Sequence, residues 1–133
     1  MNAVFLDTVG LLAIWDEDDQ WHKIASPVYE RILRDRLMVV TTAAVLLECG
    51  NAAARTHFRD DVVALKQRLE LNHLLIPVED DDWQVAWATY ARGPVGSAGI
   101  VDQVSFAVMR RLGITQAFTH DQHFRAAGFE PLF

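Results

Sequence analysis

An α/β fold with a central parallel sheet, layered α/β/α, follows from three features of the sequence. Short apolar runs of strand length alternate with longer stretches of helical spacing. Gly, Pro and acidic runs punctuate them. No internal repeat, low-complexity segment or linker interrupts the 133 residues, so residues 1–133 are expected to form a single domain.

Ala3–Thr8 reads as a buried strand, with Val9–Trp15 a short helix after it. Asp16–Gln20 is a turn or helix start. Trp21–Arg36 has helical spacing, which Pro27 should kink or restart after Ser26. Leu37–Val40 is a second strand, and Thr41 or Thr42 can cap a helix running to about Arg55. Asp60–Leu71 is an amphipathic helix begun by two acids that suit its positive end. Leu74–Val78 is a third strand, and Glu79–Arg92 is helical with an acidic first turn. Gly93, Pro94, Gly96 and Gly99 make 93–99 the most loop-like stretch of the chain. Gly99–Leu112 is a strong helix ended by Gly113. Gln116–Thr119 is a fourth strand, and Asp121–Ala127 a short helix closed by Gly128. Phe129–Phe133 is a last edge strand, where Pro131 is tolerated. In parallel sheets of this kind crossovers are right-handed, and ligands bind outside the carboxyl ends of the strands.

Composition narrows the chemistry. Half the residues are hydrophobic and 23% are charged, an ordinary globular balance. No run approaches a membrane span, and the start of the chain lacks a basic, apolar leader, so a cytoplasmic protein without membrane contact is expected. Cys49 is the only cysteine, which excludes an intrachain disulfide and a Cys-based zinc site. The net charge of −6 argues against a non-specific electrostatic binder of nucleic acid. It leaves room for an enzyme that brings its cations as bound metal.

Four carboxylates stand out by position. Asp7 ends the first strand, where N-capping of the next helix is its plain alternative role. Glu48 lies within the helix starting near Thr42, between Val45 and Ala52, on what reads as its core-facing stripe. A local ion pair with Arg55 is the competing reading. Asp102 sits in the first turn of the helix from Gly99, where the helix dipole alone would favour it. Asp121 follows the fourth strand and could cap the short helix after it. In a parallel sheet these positions can converge on one cleft. Crowded carboxylates stay ionised only around cations, and oxygen ligands select hard ions such as Mg²⁺ or Mn²⁺. Such an ion binds a phosphate oxygen and activates water, which permits cleavage of a phosphodiester.

Other readings stay open on the residues alone. A strand-end Asp also serves Asp-based phosphotransferases, although position 9 is Val, where a second acid would be needed. The acids could equally be structural caps in a non-catalytic, dimeric binding module. Among the histidines, His120 and His123 are neighbours at helical spacing, and His120, beside Asp121, is a candidate phosphate contact. Surface or capping roles are the simpler reading for both, since zinc wants three or four ligands of N or S type. Trp83 and Trp87 are four apart on one helix, which favours core or dimer packing over base stacking. Arg92, beside the Gly-rich stretch, is a candidate phosphate contact.

The segments "VFLDT", "LLECGNAAAR" from Leu46, "VDQVSFAVMRRLGI" from Val101 and "AFTHDQHFRAAGF" from Ala117 resemble the PIN domain, and more narrowly the VapC-type toxins of bacterial toxin–antitoxin pairs. The likeness spans essentially the whole chain, and the last two segments are its most specific part. It implies a PIN-like α/β/α fold and a Mg²⁺- or Mn²⁺-dependent endoribonuclease. Asp7 and Asp102 match the usual direct metal ligands, and Glu48 and Asp121 would complete the pocket. Thr8 matches a Ser or Thr that often follows the first acid, and Asn51 a polar residue one turn beyond the glutamate. The resemblance also implies a homodimer silenced by a cognate antitoxin. For these partners, Leu11, Leu12, Ile14 and Trp15 are a candidate face, with a plain core as the equal alternative.

Overall fold

A computed structural model describes residues 1–133. Five strands form one parallel sheet in the order β3-β2-β1-β4-β5. They are β1 (Ala3–Leu6), β2 (Met38–Thr42), β3 (Leu75–Ile76), β4 (Gln116–Phe118) and β5 (Glu130–Pro131). The helices are α1 (Thr8–Trp15), α2 (His22–Arg34), α3 (Ala43–Ala53), α4 (Arg59–Leu71), α5 (Asp80–Arg92), α6 (Ile100–Leu112) and α7 (Gln122–Ala126). No helix is long and apolar enough to cross a membrane.

The chain winds outward from β1 to β2 and β3, then crosses back to place β4 and β5 on the other side of β1. Right-handed crossovers put α1–α4 on one face and α5–α7 on the other. The helix neighbours agree: α1 touches α2 and α3, α3 touches α4, and α6 touches α5 and α7. The strand order reverses between β1 and β4, so their carboxyl ends flank the switch point where such sheets bind ligands. All of Ala3–Leu6 is buried, as a central strand covered on both faces requires.

Register at the sheet centre pairs Leu6 with Phe118, which lines up the residues that follow them. Thr41 Oγ1 donates to the Leu6 carbonyl (2.7 Å), tying β2 to β1 just before Asp7. On the α1 side, Gly10 lies flat against β4: a Cβ there would fall 2.1 Å from the Phe118 carbonyl oxygen, so only glycine permits this approach. Gly113 ends α6 in the left-handed region (φ 69°), the αL cap expected there.

Several expectations are corrected. Pro27 neither breaks nor restarts its helix, which runs unbroken from His22 to Arg34. Pro27 and Lys23, whose carbonyl loses its partner to the proline, are both exposed, so water can satisfy that group. Thr42 ends β2 and also caps α3, accepting from Val45 N, while Thr41 serves the sheet. Of the α1 residues Leu11 is fully buried core, while Leu12, Ile14 and Trp15 pack against the main cluster and stay partly exposed. Trp83 and Trp87 are not core, being 39% and 53% exposed. They border an apolar cavity of about 760 Å³ beside β3 that Glu48 and Asn51 also line.

Candidate metal centre at the switch point

Asp7 occupies the N-cap position of α1, yet its side chain caps nothing. It is 1% exposed. One carboxylate oxygen, Oδ2, accepts from Thr119 Oγ1 at 2.8 Å. The other, Oδ1, is buried with no hydrogen-bond partner. An unpartnered buried oxygen of this kind is rare and needs a cause. Burial pushes the Asp7 carboxyl up to about 7, opposed by the Thr119 hydrogen bond and the nearby Thr8 backbone N–H, with the Asp121 and Glu48 charges adding to the rise.

The other acids gather around it. Asp102, on the first turn of α6, is half-buried. Its carboxyl is also raised, first by desolvation and then by the charges of Asp7 and Asp121. Asp121 is the N-cap of α7, its Oδ1 accepting from His123 N at 2.8 Å, so it both caps and belongs to the cluster. Thr119 Oγ1 accepts from Asp121 N at 3.1 Å while donating to Asp7, which ties the two acids to one hydroxyl. Glu48 differs from expectation. It is exposed rather than core-facing, because Ala52 on its stripe is itself exposed and that face of α3 meets the cleft. Thr8 Oγ1 donates to Glu48 Oε1 at 2.5 Å and holds it to the site.

The remaining candidates fall differently. His120 stacks on Trp21 with ring centroids 4.3 Å apart and 13° between planes, and packs beside Phe133. His123, the histidine given no chemical role from the sequence, is the one in the cluster. A donor atom of His123 lies within 4.8 Å of those of Asp102 and Asp121. Its Nδ1 is 2.9 Å from Asp121 Oδ1 and its Nε2 is 3.0 Å from the Gly96 carbonyl. That carbonyl contact, followed by the Asp121 charge, raises the His123 pKa. Arg92 is exposed and reaches only Thr89 Oγ1 (3.4 Å). Asn51 is exposed on the turn of α3 after Glu48. Thr119 was missed because its partner Asp7 is 112 residues away. Cys49 adds no nucleophile, since burial pushes its thiol up to about 12.

Three observations fit this site to a hard divalent cation. The donors are dominated by carboxylate oxygens. The orphaned Asp7 oxygen lacks any protein partner. The acids crowd one another with no Lys or Arg hydrogen-bonded or ion-paired to them. Asp7, Asp102 and Asp121 could hold the ion directly, with Glu48 at the rim.

Comparison with known proteins bears on the family and the fold. The chain is 29% identical over 135 residues to the 23S rRNA-specific endonuclease VapC20 of Mycobacterium tuberculosis, with 95% of each protein covered. The crystal structure of VapC20, described as a sarcin-ricin loop cleaving toxin, matches with a TM-score of 0.78 over 96% of both chains. FitAcB from Neisseria gonorrhoeae matches at a TM-score of 0.62 and 18% identity, over 96% of this chain and 95% of that one, a likeness of fold. The PIN domain family model matches residues 4–130, and with that span the chain belongs to the PIN domain family.

Proposed function

We propose that this chain is a toxin of the VapC kind, an endoribonuclease that hydrolyses RNA phosphodiesters with Mg²⁺ or Mn²⁺. The observation that carries the reading is Asp7: a carboxylate buried at the switch point, one oxygen unpaired, ringed by Asp102, Asp121 and Glu48. When bound there, the ion supplies a Lewis acid for a phosphate oxygen and lowers the pKa of an attacking water. The protein's part is to hold its acids ready. Thr119 fixes the rotation of Asp7 and the backbone of Asp121 together. Thr8 restrains Glu48, the one exposed acid. The backbone of α7 holds Asp121 through its cap. Asn51 and Thr8 are assigned to the substrate side of the cleft, with Arg92 and His120 as outlying phosphate contacts.

Localisation, assembly and restraint are taken from the resemblance to toxins of the VapC kind. The chain would act as a single domain in the cytoplasm, as a homodimer restrained by a cognate antitoxin. Ribosomal RNA is the first substrate to try, since VapC20 is a 23S rRNA-specific endonuclease. The experiment is incubation with a mixed RNA pool and with 23S rRNA, with Mg²⁺, Mn²⁺ or EDTA, for wild type and Asp102→Asn. Cleavage that needs the ion and is lost in the variant supports the reading. An intact, folded wild type that cuts nothing under any of these conditions would leave a binding module of PIN fold.

A further inference from the structure

His123 touches two parts of the molecule that the sequence keeps far apart. Its Nδ1 faces Asp121 Oδ1 (2.9 Å), and its Nε2 faces the carbonyl of Gly96 (3.0 Å), 27 residues earlier. Gly96 sits in the exposed turn at 93–99, with φ 92°, and that turn leads into α6 through Gly99. Asp102 is in the first turn of α6. The ring therefore bridges the segment that carries Asp102 to the segment that carries Asp121. A carbonyl oxygen can only accept, so Nε2 carries a hydrogen. The other nitrogen faces Asp121 Oδ1, so the ring is held from both sides, by the loop before α6 and by the acid at the start of α7.

We propose that His123 is a positioning residue: it clamps the 93–99 turn to Asp121 and so fixes Asp102 against the other acids. This rests on the reading of the acids as a nuclease centre. Ala98 anchors the far end of the loop before α6 in the core, but the backbone of the rest is otherwise tied only to itself and to the end of α5. Within it, Ser97 N bonds only to the nearby Pro94 carbonyl, and Gly93 N to the Tyr90 carbonyl. The His123–Gly96 bond is the link from this loop to the acid cluster. Groups that orient metal ligands in this manner change metal affinity by about 10–100-fold when removed.

The test uses the full chain, with His123→Ala and His123→Asn. The Asn amide can replace the contact to Asp121 but cannot reach Gly96. Amide hydrogen exchange over 95–102 should speed up about tenfold or more in both variants, the scale of losing one structural hydrogen bond. Mn²⁺ affinity, by calorimetry, should fall about tenfold in both variants, since neither side chain reaches Gly96. Paramagnetic resonance of Mn²⁺ bound to wild type should show no nitrogen coupling. Unchanged exchange in His123→Ala overturns the clamp, as does a histidine nitrogen coupled to Mn²⁺, which would make His123 a ligand. The side chain is 44% exposed, so helical content should survive either substitution. If wild type cuts no RNA, the nuclease reading fails by itself, and the exchange result still decides the clamp.

Discussion

Two buried carboxylates in this chain meet opposite fates. Asp82, 4% exposed on the first turn of α5, is fully paired. Arg111 Nε lies 3.1 Å from both its oxygens, Arg111 Nη2 lies 2.9 Å from Oδ2, and Glu79 N donates to it at 2.9 Å. Burial pushes the Asp82 carboxyl up, but the Arg111 and Glu79 hydrogen bonds and the Arg111 charge outweigh it, and the net pKa is lowered. Asp7 is as deeply buried, has one side-chain donor and no cation, and its carboxyl rises to about 7. The first acid ties α5 to α6 and completes a structure. The second weakens the metal-free fold, because an ionised, unpaired carboxylate in the interior is costly. The proposed metal site accounts for that cost, since a cation bound there would complete the pairing of Asp7.

Substituting each acid in turn is the strongest way to break the contrast. Asp7→Asn should reduce RNA cleavage by about hundredfold or more, since the ion's charge stabilisation is worth several kcal/mol and about 1.4 kcal/mol is a factor of ten. The same change should raise metal-free stability at pH 8 by about 1–2 kcal/mol, measured by urea unfolding, because it removes a buried charge. Asp82→Asn should do the reverse. It leaves Arg111 with only the Glu79 carboxylate at 3.4 Å and the Pro77 carbonyl, and lowers stability by about 2 kcal/mol, below the ~3–5 kcal/mol of a fully buried pair because Arg111 keeps these contacts and 29% of its side-chain surface. Cleavage by the folded fraction should be unchanged.

The two acids should also separate by pH. The folded Asp7 carboxyl lies above its unfolded value of 3.8, so its contribution to metal-free stability is fully present below pH 3.8 and is lost as pH rises through about 7. That loss is on the order of 4 kcal/mol at about 1.4 kcal/mol per pH unit. The folded Asp82 carboxyl lies below 3.8, so its contribution is present above pH 3.8 and lost as pH falls through its lowered folded pKa. Urea unfolding across pH 3–8 should show a decline toward high pH that saturating Mn²⁺ removes, and a decline at the acid end that Mn²⁺ leaves in place. A metal-free stability that is flat from pH 4 to 8 would contradict the account of Asp7.

His120→Ala should have the smallest effect. The ring packs on Trp21 and beside Phe133, where aromatic pairs contribute about 0.5–1.5 kcal/mol beyond the area they bury, and its loss as an outlying phosphate contact should lower cleavage only slightly. Mn²⁺ affinity should be untouched. A loss of affinity comparable to that of His123→Ala would place the wrong histidine at the centre.

The difference between the histidines also shows what the sequence could convey. Element order was legible because each apolar run sits between breakers; the nearness of Asp7 and Asp121 was legible because a parallel sheet brings strand ends to one edge, and the position of Asp102 because it opens the helix after the Gly-rich stretch. The burial of Glu48 was misjudged because apolar neighbours on a helix need not be buried when that face borders a cleft. Thr119 and His123 were hidden because their roles depend on Asp7 and Gly96, contacts that only the folded chain brings together. The buried Asp82–Arg111 pair was equally silent, its partners 29 residues apart.

The most direct measurement is calorimetric titration of Mn²⁺ into the metal-free protein at pH 6.5, in two buffers of different ionisation enthalpy, with Asp7→Asn as control. Wild type should show a stoichiometric site that releases protons on binding, because raised carboxyls must ionise to hold the ion. Both the affinity and the proton release should fall sharply in Asp7→Asn. Binding that releases no protons, or that is equal in the variant, would contradict the claim that the unpaired buried acid exists to hold a cation.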